Sequence, residues 1–215
     1  MSKPIRIAII NYPGALQSAV FGLSEMLELS NTLGSQQTIK TNIYTLGENF
    51  KFEAIDQGIY SVVIIPSSMN ADFCYHPSKD LTDWLASQHQ QGAILSSACS
   101  GVFILAETGI LENKTITTHW MLKERFKQSY NKISINIEKI LINDQDIITA
   151  GGLMSWVDLG LELVAQLASP HVMRQLGKIL VVDTGLREQR YYQSFSPRLD
   201  HGNQVILKAQ RYMQS

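Results

Sequence analysis

Cysteine is almost absent. The two residues, Cys74 and Cys99, in a chain of 215 are too few for a disulfide scaffold and lack metal-ligand spacing, which implies free thiols in a reducing compartment. Net positive charge is also missing. With 18 Lys+Arg against 19 Asp+Glu and a formal net charge of −1, the chain has no broad cationic footprint, so any DNA contact falls mostly outside it. No apolar run approaches membrane-spanning length, and the opening MSKPIRIAII enters a β-like segment without a secretory-signal pattern. Those absences read as a cytoplasmic protein with no membrane partner. Internal repeats, low-complexity tracts, a Walker phosphate loop and a GxGxxG fingerprint are missing as well, and no cofactor is implied.

What is present is 45% hydrophobic and 17% charged residues, enough for one domain of ordinary size without covalent staples. Ile/Val-rich runs at 5–10, 39–46, 61–65 and 93–96 alternate with amphipathic stretches at 16–31, 78–90 and 101–108. This alternation predicts an α/β fold, a parallel sheet with helices on both faces. A brief β-like segment at 115–119 and a helical stretch at 120–130 follow. ISINIEKILI then alternates at period two and NDQD supplies a turn before IITAGG, so 133–150 is expected as an antiparallel hairpin. Helices are expected at 153–168 and 170–180, the second N-capped by Ser169 with Pro170 at its first position. Ligands of such sheets gather at the carboxyl ends of strands, here the loops 11–18, 66–69 and 98–101.

Within AILSSACSGVFILAETG an apolar strand stops at small residues and a helix begins at once. Cys99 therefore sits at a helix N-terminus, where partial positive charge favours thiolate. SACSG has the form of a nucleophile elbow, with the Ser100 N–H as candidate oxyanion donor and His119, in TITTHW, as candidate activating imidazole. The plain alternative is a small buried hydrophobe. His76 and His89 read as solvent-facing, Glu25 and Glu28 as solvated helix charges, and Cys74 as an inert, partly buried thiol. Trp84, Trp120 and Trp156 read as packing anchors, and no metal site is expected. Asp158 fits either a helix start or an interface.

The run SACSGVFILAETGILENKTITTHW, followed by ITAGGLMSWVDLGLELV, is similar to the ThiJ/PfpI superfamily, the class I glutamine amidotransferase-like fold, over roughly residues 5–183. The TTHW and AG…DLGL combination most resembles the N-terminal sensor domains of AraC-family transcriptional regulators and, less closely, isocyanide hydratases. The resemblance implies a flavodoxin-like, doubly wound sheet, an elbow cysteine at Cys99, its histidine at His119, and a homodimer. Enzymes of the superfamily carry a carboxylate shortly after the first strand. That place falls here on Gln17 or Ser18, neither an acid nor a base near neutral pH. The loop after the third strand often has paired glycines, whereas this chain has Ser67 and Ser68. A pocket lined by Gln17, Ser18, Ser67, Ser68, Cys99, Ser100, His119 and Gly151 suits recognition of a small polar metabolite. Cys99 and His119 become catalytic only in an enzymatic reading.

The tail QSFSPRLDHGNQVILKAQRYMQS resembles the stretch that leads into the paired helix-turn-helix module of AraC-type regulators. The expected organisation is a ThiJ/PfpI-type domain at 1–185, a linker at 186–202 and, at 203–215, a helix opening a module otherwise absent. The expected function is ligand sensing and dimerisation for such a regulator, with a small-molecule effector and DNA contacted only through that module. The alternative is a stand-alone cysteine enzyme: an isocyanide hydratase, amidase or glyoxalase-like hydrolase. A redox sensor at Cys99 ranks third, since no second cysteine is predictably placed to resolve it.

Overall fold

A computed structural model describes residues 4–35, 37–47, 58–185, 187–193 and 202–214. The Ile/Val-rich runs form β1 (Ile5–Asn11), β2 (Ile39–Thr45), β3 (Val62–Ile65) and β4 (Ile94–Ala98). Beyond them lie the short strands β5 (Thr115–Ile116) and β6 (Ser134–Ile135), then β7 (Leu141–Asp144) and β8 (Ile147–Ala150). Six strands make one sheet in the order β2-β1-β3-β4-β8-β7, parallel except for the β7–β8 hairpin at one edge. Every residue of β3 is buried. A strand covered on both faces has no polar side, which is why it reads as an unbroken apolar run.

The helices are α1 (Gln17–Leu29), α2 (Asp72–Tyr75), α3 (Lys79–Gln90), α4 (Val102–Glu107), α5 (Lys123–Ser129), α6 (Trp156–Leu167), α7 (Pro170–Leu180) and α8 (Gln204–Gln214). α1, α6 and α7 pack together, and α4 packs with α2 and α3, so the doubly wound, flavodoxin-like class is borne out. The Ser169 cap is present, its Oγ accepting from Val172 N at 3.2 Å, with Pro170 first in the helix.

Strand order reverses between β1 and β3, the crevice where ligands of open parallel sheets bind. Here the two loops leaving that crevice are bonded to each other. Leu16 N donates to Ser67 O at 2.8 Å, Met69 N donates to Gly14 O at 3.0 Å, and Ala15 and Ser68 form an antiparallel bridge. Beneath them Tyr12, 2% exposed, donates its hydroxyl to Pro66 O at 2.6 Å. The crevice is zipped at its lip.

Two expectations change. The hairpin is confined to Leu141–Ala150, while Ser134–Ile135 pairs in parallel with Thr115–Ile116. The cause is Asn136, whose Oδ1 accepts from Glu138 N at 3.0 Å and turns the chain out of strand geometry. The stretch expected as a linker at 186–202 is docked on the body across 187–193. Lys139 and Glu188 form an antiparallel bridge, Gln189 N donates to Glu138 O at 2.7 Å, and Arg187 grips Asp158 through two bonds of 2.7 and 2.8 Å. That ion pair also answers the open question of Asp158.

At the end of α7, Val181 adopts φ 54° and ψ 44° while Val182 N donates to Gly177 O at 3.0 Å. This is a Schellman cap with a β-branched residue where glycine belongs. Val181 is 89% exposed, so its side chain returns little packing. Val181→Gly is expected to stabilise the fold by about 1 kcal/mol, read as a higher midpoint in urea at unchanged slope.

Candidate functional site

β4 delivers the chain to Cys99 in an extended conformation, and Cys99 then turns it with φ 53°. Holding an L-residue there costs on the order of 1–2 kcal/mol and needs surroundings that over-determine it. Two are visible. Thr118 Oγ1 donates to Cys99 O at 2.7 Å. Gly101 lies so close to β3 that a Cβ on it would stand 2.8 Å from Ile65 O and 2.9 Å from Pro66 O. SACSG makes a sharp strand-to-helix turn, and the structure adds what the sequence left open, a strained backbone at Cys99.

Its thiol is not poised as a nucleophile. Cys99 is 6% exposed, and burial pushes its pKa from an ordinary 9.0 to about 11 against the pull of the Ser100 N–H and hydroxyl. A helix N-terminus favours thiolate, but at Cys99 burial outweighs it and the thiol is held protonated. Cys74 lies beneath it, fully buried, its thiol also raised by burial.

Ser68 and Ser100 meet beside the elbow, and both are buried, as is Ser67. Ser68 Oγ lies 2.9 Å from Ser100 Oγ and donates toward Asn70 O at 2.9 Å, with Cys74 Sγ at 3.9 Å. Ser67 Oγ donates to Leu153 O at 2.8 Å, tying the β3 loop to the approach to α6. The hydroxyls therefore bond to the protein itself in this state.

The other expected residues lie outside this cluster. Gln17 and Ser18 are exposed, and Gln17 Nε2 turns back to Asn11 Oδ1 and Ala15 O. His119 is half-buried, which lowers its pKa, and its Nδ1 accepts from Met121 N at 3.2 Å. Among the described residues no hydrogen bond joins His119 to Cys99. Gly151 is filled from outside, since a Cβ on it would meet Gln189 Nε2 at 2.4 Å.

Gln189 went unmarked in the sequence. It is 3% exposed; its Oε1 accepts from Trp120 N at 2.9 Å, and its Nε2 donates to Thr118 O and Ile137 O, both at 3.0 Å. No local pattern distinguishes it from the other polar residues of LREQRYYQ. His89, expected to face solvent, instead sits 2.7 Å from Asp146 Oδ2, while Lys114 lies 2.6 Å from Asp146 Oδ1.

Among the described residues no group of three or more His, Cys, Asp or Glu could hold a metal. None of their helices is long and apolar enough to cross a membrane. A cleft of about 730 Å³ lies elsewhere, between Leu141, Leu161, Met173, Asp158 and Arg187, and none of the expected ligand residues lines it.

A doubly wound sheet carrying a cysteine at a strained strand-to-helix corner defines an elbow-bearing α/β protein. The chain belongs to the DJ-1/PfpI family, which it matches over residues 31–166. It is 29% identical over 129 residues to Drosophila melanogaster protein DJ-1alpha, covering 60% of this chain and 58% of that protein. It is 33% identical over 132 residues to the HTH-type transcriptional regulator CdhR of Pseudomonas aeruginosa, covering 61% of this chain and 35% of the regulator. The match thus spans less than two thirds of either relative. An AraC family transcriptional regulator from Pseudomonas putida shares the fold with a TM-score of 0.66 at 16% identity, over 82% of this chain and all of that one.

Proposed function

We propose that this chain is the ligand-sensing and dimerising domain of an AraC-type transcriptional regulator. In this reading a small polar metabolite binds at the carboxyl edge of the sheet beside Cys99, and a helix-turn-helix module continuing from α8 contacts DNA. The observation that carries it is the state of the elbow: a buried thiol with a pKa of about 11, with neither a carboxylate nor an imidazole among the described residues bonded to it. A cysteine hydrolase or hydratase needs thiolate near neutral pH and an acid–base partner within reach. Recognition needs only shape, hydroxyls and an equilibrium between two states that the ligand can bias.

Two further features support it. α8 leaves Val205, Ile206, Tyr212 and Met213 exposed, the apolar stripe that a helix opening a multi-helix module presents. The similarity to CdhR concerns a regulator longer than this chain. The organisation that follows is a sensor domain extended by its docked segment, a shortened linker, and α8 at the module boundary.

The test is a thermal-shift screen of small polar metabolites on the chain, followed by product analysis of each hit. A hit at 100 times its dissociation constant adds about 2.7 kcal/mol of stability, and the expected result is such stabilisation without turnover. Product formation abolished by Cys99→Ala would overturn the reading in favour of an enzyme.

A further inference from the structure

The residues that join the elbow to the C-terminal segment form one continuous hydrogen-bonded path. Cys99 O accepts from Thr118 Oγ1 at 2.7 Å. The next carbonyl in that path, Thr118 O, accepts from Gln189 Nε2 at 3.0 Å, and Trp120 N donates to Gln189 Oε1 at 2.9 Å. His119 lies between those two anchored residues, so the Gln189 amide clamps the loop that carries it from both sides. Gln189 belongs to the segment 187–193, whose backbone is bonded to Glu138 and which leads in sequence toward α8.

Several details make this a built arrangement and not a surface contact. The Gln189 side chain is buried and has a partner at each end, whereas its neighbours Arg187, Arg190, Tyr191 and Tyr192 are exposed. Gly151, the residue that follows β8, leaves room for it where any side chain would collide at 2.4 Å. The loop 117–120 is also tied to the sheet through Thr117, whose N–H donates to Thr149 Oγ1 at 2.9 Å and whose Oγ1 donates to Lys139 O at 2.8 Å. A buried polar network that is fully satisfied has one low-energy arrangement, and displacing one member leaves the others unpaired.

We propose that Gln189 is a latch coupling the elbow to the C-terminal segment: displacing loop 117–120 beside Cys99 releases residues 187–193, and releasing those residues opens the elbow. Gln189 is a positioning residue, acting on Cys99 and His119 through Thr118 and Trp120. The proposal supplies the transmission route of the sensor and takes its purpose from that reading, but the coupling itself is a property of the chain that needs no effector to observe. Coupling of this kind is reciprocal, so it can be read from either end.

The experiment uses the whole chain at pH 9. The iodoacetamide labelling rate of Cys99 is read by peptide-resolved mass spectrometry, and hydrogen exchange is read over peptides covering 187–193. Gln189→Ala is expected to raise the Cys99 rate by about tenfold, the equivalent of about 1.4 kcal/mol. Conversely, wild-type protein already labelled at Cys99 is expected to exchange the Gln189 and Arg190 amides about tenfold faster than unlabelled protein. Gln189→Glu, which keeps the acceptor for Trp120 but loses the donors to Thr118 and Ile137, carries the test if the alanine variant does not fold. Arg187→Ala is the control, because it removes the anchor to Asp158 without touching loop 117–120. It is expected to leave the Cys99 rate within twofold.

A Cys99 rate unchanged in Gln189→Ala or Gln189→Glu would overturn the latch. Equal acceleration by Arg187→Ala would overturn it too, since any loosening of the segment would then suffice. These outcomes are separable from the sensor reading. Metabolite binding without coupling removes the latch alone, and coupling in a chain that turns over substrate at Cys99 removes the sensor alone.

Discussion

Labelling of Cys99 by iodoacetamide is expected to rise about tenfold per pH unit from pH 7 to pH 10 without a plateau. Only the thiolate attacks, and a thiol with a pKa of about 11 is about one part in ten thousand ionised at pH 7, roughly a hundredfold less than at the ordinary value. Cys99→Ser gives the zero, and peptide-resolved mass spectrometry separates Cys99 from Cys74. A plateau below pH 8 would mean a thiolate at working pH and would return the enzyme and redox readings to first place. The same shift has a sign in stability. Between pH 9 and about 11 the unfolded chain loses the Cys99 proton while the folded one keeps it, so the folded state weakens by up to about 1.4 kcal/mol per pH unit across that window. Below pH 9 both states hold the proton, and this group leaves stability independent of pH.

Gly101→Ala is expected to cost about 3 kcal/mol, enough to unfold a marginal domain at physiological temperature. The added Cβ meets two carbonyl oxygens, Ile65 O at 2.8 Å and Pro66 O at 2.9 Å, besides the Ile65 Cγ2 at 2.9 Å; Ile65 is held in the β3–β4 pairing and Pro66 follows it directly. Moving the Ile65 side chain leaves both carbonyl contacts in place. Urea unfolding measures the loss. A cost under about 0.5 kcal/mol would mean that β3 and the elbow separate easily, contrary to the close approach that holds Cys99 in its turn.

The parts of this protein legible in sequence are those set by local pattern. β3 announces itself because burial on both faces leaves only Ile and Val, and α7 because Ser169 and Pro170 mark its start. The elbow is legible for a related reason: Ala98, Ser100 and Gly101 must be small wherever a chain turns that sharply. What escaped depends on contacts distant in sequence. Gln189 bonds Thr118 from 71 positions away, and Arg187 reaches Asp158 across 29. The protonation of Cys99 escaped for a different reason, since it is decided by how much protein closes over the thiol. The alternation of ISINIEKILI misled because a period of two does not say which neighbour a strand takes, and the side-chain turn at Asn136 divides the run between two sheets.

The zipped loops set a clock on the β1–β3 crevice. Any molecule that enters between those two loops waits for Leu16 to leave Ser67 and Met69 to leave Gly14, so at high concentration its association rate levels off at the rate of that parting. Its apparent affinity is the intrinsic one divided down by the small fraction of time the loops stand open, and each substitution that frays the zipper trades selectivity of entry for speed.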